Sequence, residues 1–540
     1  MRNRVIFLSL VIALVLCGTV SGGGQRAGSS ATGSAPAVSF NATGFPIVNQ
    51  QVTLRILTPN SAANPPDFND LLIMQKVEAK TNVRIDWVMA GAGFNEKKAL
   101  MLATGDLPDI INRSVTAAEL IRYGGNGTFI PMQNLIDQYG VNTKKLFSEI
   151  SGLRAFLTAP DGNIYGVPRV NAAPWTAANG IGIINKTWLD SLGRPMPTTV
   201  EEFHQTLLAF RSINPAGGGR VIPLSFAKYS TGGATTLADV TGFSYLMASF
   251  GVPLNTEYMD VVNGRVVNIA TTDGFKEGIR YLSRLFADGL IDPEGFTMGR
   301  NQLNAKISQT PFTVGYLQGW DIPDEFSTPE AVDNYVFMPL LRGPNGRTPV
   351  FYEVPLYGIT RGSGVITSAC RHPEVAMRWI DNILDTITSI EVCEGPIDVR
   401  VMDMKNGTFD IAPPPPGKNA TQWKDENALG GSGFFAITAH TFEHVLRFPT
   451  TDNKVAFMNS SLFRYSDKEA FPPVYYTAEE ADEVALLRTD IISFIERRAS
   501  EWIMNGRIDA EWDAYMRELE SMGNSKLLSI NQAAYNRFIR

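Results

Sequence analysis

The sequence predicts an α/β chain of two lobes with a helical C-terminal region, and three observations carry that reading. The chain has 540 residues, more than one hydrophobic core organises, so it divides into lobes. Between Gln51 and Asn112 strand and helix patterns alternate with short connections, the pattern of a parallel sheet built from crossover units. From Thr477 to Arg540 the apolar spacing is helical almost throughout, with breaks near Asn505–Gly506 and near Gly523.

In order along the chain, VTLRIL (52–57) predicts a strand, and 68–81 a helix with Phe68, Leu71, Leu72 and Val77 inward. VRIDWV (83–88) is a second strand with Val83, Ile85 and Trp87 on one face, followed by a helix over 97–103 and a short strand over 109–112. Ligands of open parallel sheets bind beyond the carboxyl ends of the strands. The loops at 59–66, 90–94 and 112–116 are therefore candidate ligand loops. Pro160-Asp161-Gly162-Asn163 reads as a hairpin turn, and Val167–Val170 as the first hinge strand.

A new alternating region opens at Ile181. Residues 181–184 form a buried strand, and Val200, Phe203, Leu207 and Phe210 share one face of a helix. Thr198 and Thr199 stand three residues before Glu201 and Glu202, so either threonine is placed to cap that helix. Helices are also expected over 273–287 and 373–384, extended runs over 313–320 and 351–360, and a stiff proline run at 413–416. The expected division is 49–168 with 352–390 as lobe 1, and 169–351 with 391–540 as lobe 2.

The first 17 residues read as a signal peptide: Arg2 and Arg4 precede the apolar run Val5–Leu16, too short to span a bilayer comfortably. Cys17 ends that run, where a bacterial lipoprotein is cut and acylated; ordinary cleavage near Ser21 or Gly22 is the alternative. Residues 18–48 are expected to be a flexible tether, its first part rich in Gly, Ser, Ala and Thr. Cys370 and Cys393 flank one predicted helix, as an exported disulfide or as two buried thiols. The net charge of -7, without a basic stripe, argues against a nucleic-acid partner.

One sequence motif bears on catalysis. His440-Thr441-Phe442-Glu443-His444 spells H-x-x-E-H, which on a helix sets two histidines one turn apart for zinc, with Glu443 as general base. Five-residue matches are common in long chains, and two half-exposed histidines are the alternative. His204 and His372 stand apart from other ligands. No nucleophile elbow, phosphate loop or four-cysteine zinc spacing is present, and no carboxylate pair is singled out for glycoside hydrolysis. Asn214–Arg220 lacks the alternating oxygen ligands of a calcium loop. The more informative set is aromatic: Trp175, Tyr316, Trp320, Tyr352 and Tyr357 fall in loops or at strand ends, where rings stack on a sugar face.

Several runs in this order carry a resemblance: LMLATGDLPDII (100–111), DGNIYGVP (161–168), INKTWLDSLG (184–193) before MPTTVEEF, YLSRLFADGLIDPE (281–294), and the block from Pro472 to Tyr535. With them the chain resembles the extracellular solute-binding proteins (family 1) of bacterial ABC importers, in the lipoprotein-type, carbohydrate-associated branch. The resemblance implies a two-lobe periplasmic-binding-protein-like fold with hinge strands, closing over a small-molecule ligand. That ligand is an oligosaccharide or, secondarily, a peptide, handed to the permease subunits of the transporter. It also implies a membrane anchor through lipidated Cys17 and a monomer; related proteins often carry a calcium-binding loop where this chain has Asn214–Arg220, but its carboxylates are absent here, so no metal or cofactor is expected. On the same resemblance the cleft receives the turn at 105–109, the Trp175 loop, the tip at 315–320 and the crossing at 352–357. The ligand-contact candidates are Asp106, Asp109, Arg169, Trp175, Tyr316, Gln318, Trp320, Asp321, Tyr352, Glu353 and Tyr357. The rival reading is a secreted zinc metallopeptidase using His440, Glu443 and His444, or a glycosidase.

Overall fold

The computed structural model describes residues 39–539 except 179, 214–220, 229, 232–233, 236, 239–241, 327–328, 354–355, 417, 419, 449–451 and 468–469. The signal peptide, Cys17, the tether up to residue 38 and the Asn214–Arg220 loop therefore lie outside the described residues. The last part of the expected tether is ordered. Phe40 bridges Val48, and Ile47 and Val48 are fully buried against the first lobe, so the folded body begins near residue 39.

The first lobe is built on a four-stranded sheet in the order Val365–Ile366, Ile110–Ile111, Val52–Pro59, Val83–Ala90. The last three run parallel, with Val52 opposite Val83 and Ile56 opposite Ile110. Helices Leu72–Thr81 and Phe94–Thr104 connect them. The helix expected over 68–81 is broken, because Asp67 caps a 3-10 turn at Phe68–Asp70 and Leu71 is extended. That break shifts the buried face to Ile73, Met74 and Val77 and leaves Leu72 exposed.

A second sheet, Ile359–Ser363, Val167–Asn171, Ala436–Ile437, lies at the junction. Val167 and Val170 are fully buried in the first lobe's core with Trp379 and Ile380. The strand expected as the first hinge is thus a strand of lobe 1, and the crossing follows it. Ala178 bridges Glu353 and Phe351 bridges Ser466, which places segments of all three connections side by side.

The second lobe carries the sheet Tyr335–Phe337, Ile181–Asn185, Val314–Gly319, Ile222–Leu224. Ile181–Asn185 runs antiparallel to both neighbours, whereas Val314–Gly319 and Ile222–Leu224 are parallel. Helix Val200–Arg211 covers it through Phe203, Leu207 and Phe210. Of the two threonines, Thr199 completes the capping box with Glu202, and Glu202 also accepts the Thr198 hydroxyl at 2.7 Å. Helices Ala478–Asn505, Ile508–Ser521 and Asn524–Phe538 close this lobe. Their breaks fall at Gly506 (φ 73°) and Gly523 (φ 92°), left-handed positions that cost glycine least.

The hydrophobic clusters divide the chain differently from the sequence expectation. Val392, Val401, Phe434, Phe435, Ile437 and Leu446 join the first lobe's core, so 391–448 pack with lobe 1 and not lobe 2. Met458, Leu462 and the C-terminal helices join lobe 2. A third crossing, near 448–474, has no periodic signature. Cys370 and Cys393 are both free thiols.

Candidate functional site

On the lobe 1 side, the parallel strands Val52–Pro59 and Ile110–Ile111 deliver their carboxyl ends to one edge. Asn112 is fully buried there, donating to the Thr58 hydroxyl at 2.7 Å and to the Ser432 carbonyl at 2.9 Å. Ser61 donates to the Asp425 carboxylate at 2.8 Å, and Asn64 to the Asp425 carbonyl at 2.7 Å. The loop after the first strand is thereby tied to helix Ala420–Asn427, and the Ser432 hydroxyl, donating to the Asn64 side-chain oxygen at 3.0 Å, ties it to the 430–432 turn. Arg113 follows directly, and Arg169 projects from Val167–Asn171 with its guanidinium 4.4 Å from the centre of the Phe435 ring. Burial, and then the charge of Arg169, lower the pKa of Arg113 to about 10. No sequence pattern singled out Arg113; the only signal was its place in the expected ligand loop 112–116.

On the lobe 2 side, Val314–Gly319 ends at Trp320. Its backbone N–H donates to Glu325 at 2.8 Å, and its carbonyl accepts from Lys454 at 2.5 Å. The same ammonium sits 4.2 Å from the indole centre. The strand Ile222–Leu224, parallel to it, leads into the segment held by Glu496. That buried carboxylate accepts the Leu237 N–H at 2.9 Å and the Tyr258 hydroxyl at 2.6 Å.

At the hinge lies a cavity of about 480 Å³ lined by Glu149, Ile150, Ser151, Ala172, Glu353, Leu356, Tyr357, Ala439 and Asp467, among others. This volume is in the range of small-ligand sites. Tyr357 is half-buried, its hydroxyl pKa raised by burial and by the carboxylates of Glu353 and Glu443. Tyr352 is also half-buried, and burial followed by Glu257, Asp260 and Asp467 pushes its pKa up. Trp175 stands in the 3-10 turn Pro174–Thr176 at the first crossing; its side chain is not among those described.

The structure therefore brings Arg169, Trp320, Tyr352, Glu353, Tyr357 and the Trp175 backbone to the junction of the lobes. It assigns other work to the remaining candidates. Asp106 is exposed and ion-paired with Arg55 at 2.7 Å, which lowers its pKa, and Asp109 accepts the Arg55 backbone N–H at 2.7 Å. Both lie at the amino end of Ile110–Ile111, away from the ligand-facing ends of the strands. Tyr316 is 2% exposed and packs against Phe203 at 4.9 Å. Gln318 is buried, accepting from the Tyr245 N–H and donating to Ser244. Asp321 is buried as the N-cap of Ile322–Glu325.

His440 and His444 do lie one turn apart on one short helix, Ala439–His444, with ring centres 4.5 Å apart and the rings tilted by 55°. No group of three or more His, Cys, Asp or Glu side chains among the described residues could hold a metal ion. His440, Glu443 and His444 are all exposed, and nothing encloses them as a catalytic zinc site requires.

No family model matches the chain. It is 31% identical over 526 residues, 95% of each chain, to the fructooligosaccharide ABC transporter substrate-binding protein FusA of Streptococcus pneumoniae. Solved structures of FusA in complex with kestose, and of its EF-hand mutant with fructo-nystose, superpose with TM-scores of 0.75 and 0.76 at 31% identity. They match 90% of this chain and 99% of theirs. Lipoprotein LipO of Bacillus subtilis is 23% identical over 372 residues, 66% of this chain and 69% of its own. Relatedness at this level, end to end and with the same two-lobe architecture, makes the chain a binding protein and not an enzyme. It belongs to the ABC transporter substrate-binding proteins.

Proposed function

We propose that this protein captures an oligosaccharide between its two lobes, outside the cytoplasm, and hands it to the permease of an ABC transporter. The observation that carries the reading is the 31% identity across 95% of both chains with a protein named for fructooligosaccharides. The geometry supports it. An aromatic ring stands at the end of Val314–Gly319, and three chain crossings bridged side by side suit hinge closure. Ligand must favour the closed state through contacts made to both lobes at once.

The protein is held at the membrane as a monomer by a lipid on Cys17. The name of LipO and the charged-then-apolar N-terminus support the anchor. Within the site, Arg169, Trp175, Trp320, Tyr352, Glu353 and Tyr357 are the contacts. A thermal-shift screen against fructo-oligosaccharides and other glycans, neutral and acidic, tests the proposal. A rise in melting temperature with one glycan class supports it, and no shift with any glycan removes the oligosaccharide reading. Mass spectrometry of the membrane-extracted protein tests the anchor: a diacylated N-terminal Cys17 is expected, and a free terminus at residue 22 or 23 contradicts it.

A further inference from the structure

Many of the buried and half-buried cations elsewhere in this protein come with partners. Lys98 pairs with Glu119 at 2.8 Å, Lys306 with Asp292 and Glu294 at 2.7 Å each, and Arg400 with Glu394 at 2.8 Å. Arg378 donates to the Asn41 and Gly44 carbonyls, and Arg361 to those of Pro473 and Val474. Arg113 and Arg169 break the pattern. Among the described residues neither has an ion pair or a hydrogen bond, and the Nε of Arg169 is buried without a partner. Both are only partly exposed, and one strand joins their segments: Ile359–Ser363 sets Thr360 opposite Arg169, Gly362 accepts the Val115 N–H, and Gly364, just past the strand, donates to the Asn112 carbonyl, so the charge of Arg169 bears on that of Arg113. Burial opposes the charge of each.

The nearby carboxylates are already engaged. Glu394 serves Arg400, with Lys424 at 3.9 Å and the Cys393 thiol at 3.1 Å, and Asp425 accepts from Ser61. The carboxyl-end edge of lobe 1 therefore carries uncompensated positive charge. A guanidinium does not deprotonate in a protein, so the repulsion persists until something negative arrives. Neutral sugar hydroxyls accept hydrogen bonds but leave two like charges facing each other in a closing cleft. A carboxylate, sulfate or phosphate ester both fits the planar fork and cancels the charge. Phe435 holds one face of Arg169 and so fixes the plane of that fork.

We propose that Arg113 and Arg169 form an anion-binding subsite on the lobe 1 wall of the cleft, so that the captured saccharide carries a negatively charged group. This rests on the oligosaccharide reading above and narrows it to acidic or esterified sugars.

The test is titration calorimetry of the purified exported protein at low ionic strength with four probes: trigalacturonate, its full methyl ester, a sulfated neutral trisaccharide and kestose. Thermal shift with inorganic sulfate accompanies it. An acidic probe is expected to bind at least tenfold more tightly than its uncharged counterpart, and R113Q and R169Q to collapse that ratio toward one. Preference for trigalacturonate or for the sulfated sugar identifies the anion. Sulfate is expected to raise the melting temperature of the wild type but not of the R113Q/R169Q double variant. Equal affinity for charged and uncharged probes, unchanged in the variants, overturns the subsite and leaves the oligosaccharide reading standing. Sulfate stabilisation that needs both arginines, without binding of any saccharide, keeps the subsite and overturns the oligosaccharide reading.

Discussion

Lys454 holds Trp320 twice, donating to its backbone carbonyl at 2.5 Å and lying 4.2 Å from the centre of its ring. The lysine is 1% exposed and comes from helix Asp452–Ser461, in the third passage between the lobes. The ring at the end of Val314–Gly319 is thus oriented by the hinge and not by its own strand alone. Trp320→Ala is expected to weaken saccharide binding about tenfold, the ~1.4 kcal/mol of one stacking contact. Lys454→Met keeps the volume but frees the ring, and should weaken binding by a smaller factor. Calorimetry reads both, and unchanged affinity in Trp320→Ala removes the residue from the site.

Glu496 is the anchor of the segment that follows Ile222–Leu224. Its carboxylate takes the Leu237 N–H at 2.9 and 3.0 Å and the Tyr258 hydroxyl at 2.6 Å, and Lys228 is 3.7 Å away. Glu496→Ala leaves a buried N–H and a buried phenol unsatisfied, at a cost of about 3 kcal/mol. Urea unfolding should show that loss. A loss below about 0.5 kcal/mol, the size of an ordinary surface substitution, contradicts the assignment.

Both cysteines are free, and burial pushes the Cys370 thiol up to about 12. Without reductant, a thiol reagent at neutral pH should find Cys370 and Cys393 unreactive in the native protein and both reactive in denaturant. No reaction in denaturant means they are bridged.

Alkaline stability follows from the same burial. Cys370, Tyr165, Tyr475 and Tyr476 are each raised to about 12, while in the unfolded chain they ionise near about 8.5 and 10. Above those values the unfolded state binds fewer protons than the folded state, so stability falls as pH rises from about 9 toward 12. Urea midpoints should decline over that window.

Divalent cations should not matter to this chain. The stretch Asn214–Arg220 contains no carboxylate, and calcium sites are built from several oxygen ligands. FusA, by contrast, has been solved as an EF-hand mutant. Adding a chelator, or calcium, is expected to leave the melting temperature unchanged, and a chelator-induced drop contradicts this.

Periodicity and turn chemistry made much of the fold readable. The capping box at Thr199–Glu202, the helix at 273–287 and the breaks at Gly506 and Gly523 follow from local rules. The site was less legible, for reasons that local rules cannot reach. Asp106 and Asp109 precede a strand that does belong to the right sheet, but only its parallel register opposite Val52–Pro59 sets them beside Arg55, which takes up both carboxylates. Tyr316 and Gln318 lie on a strand buried on both faces, where alternation does not tell cleft from core. Arg113 became visible only when the fold showed which carboxylates were already taken.

The account rests on capture by closure, and small-angle scattering measures it most directly. The exported protein is compared free and saturated with the glycan that most raises its melting temperature. The radius of gyration should fall on saturation, and Trp320→Ala should need more ligand for the same change. Saturation without any compaction contradicts the two-lobe capture proposed here.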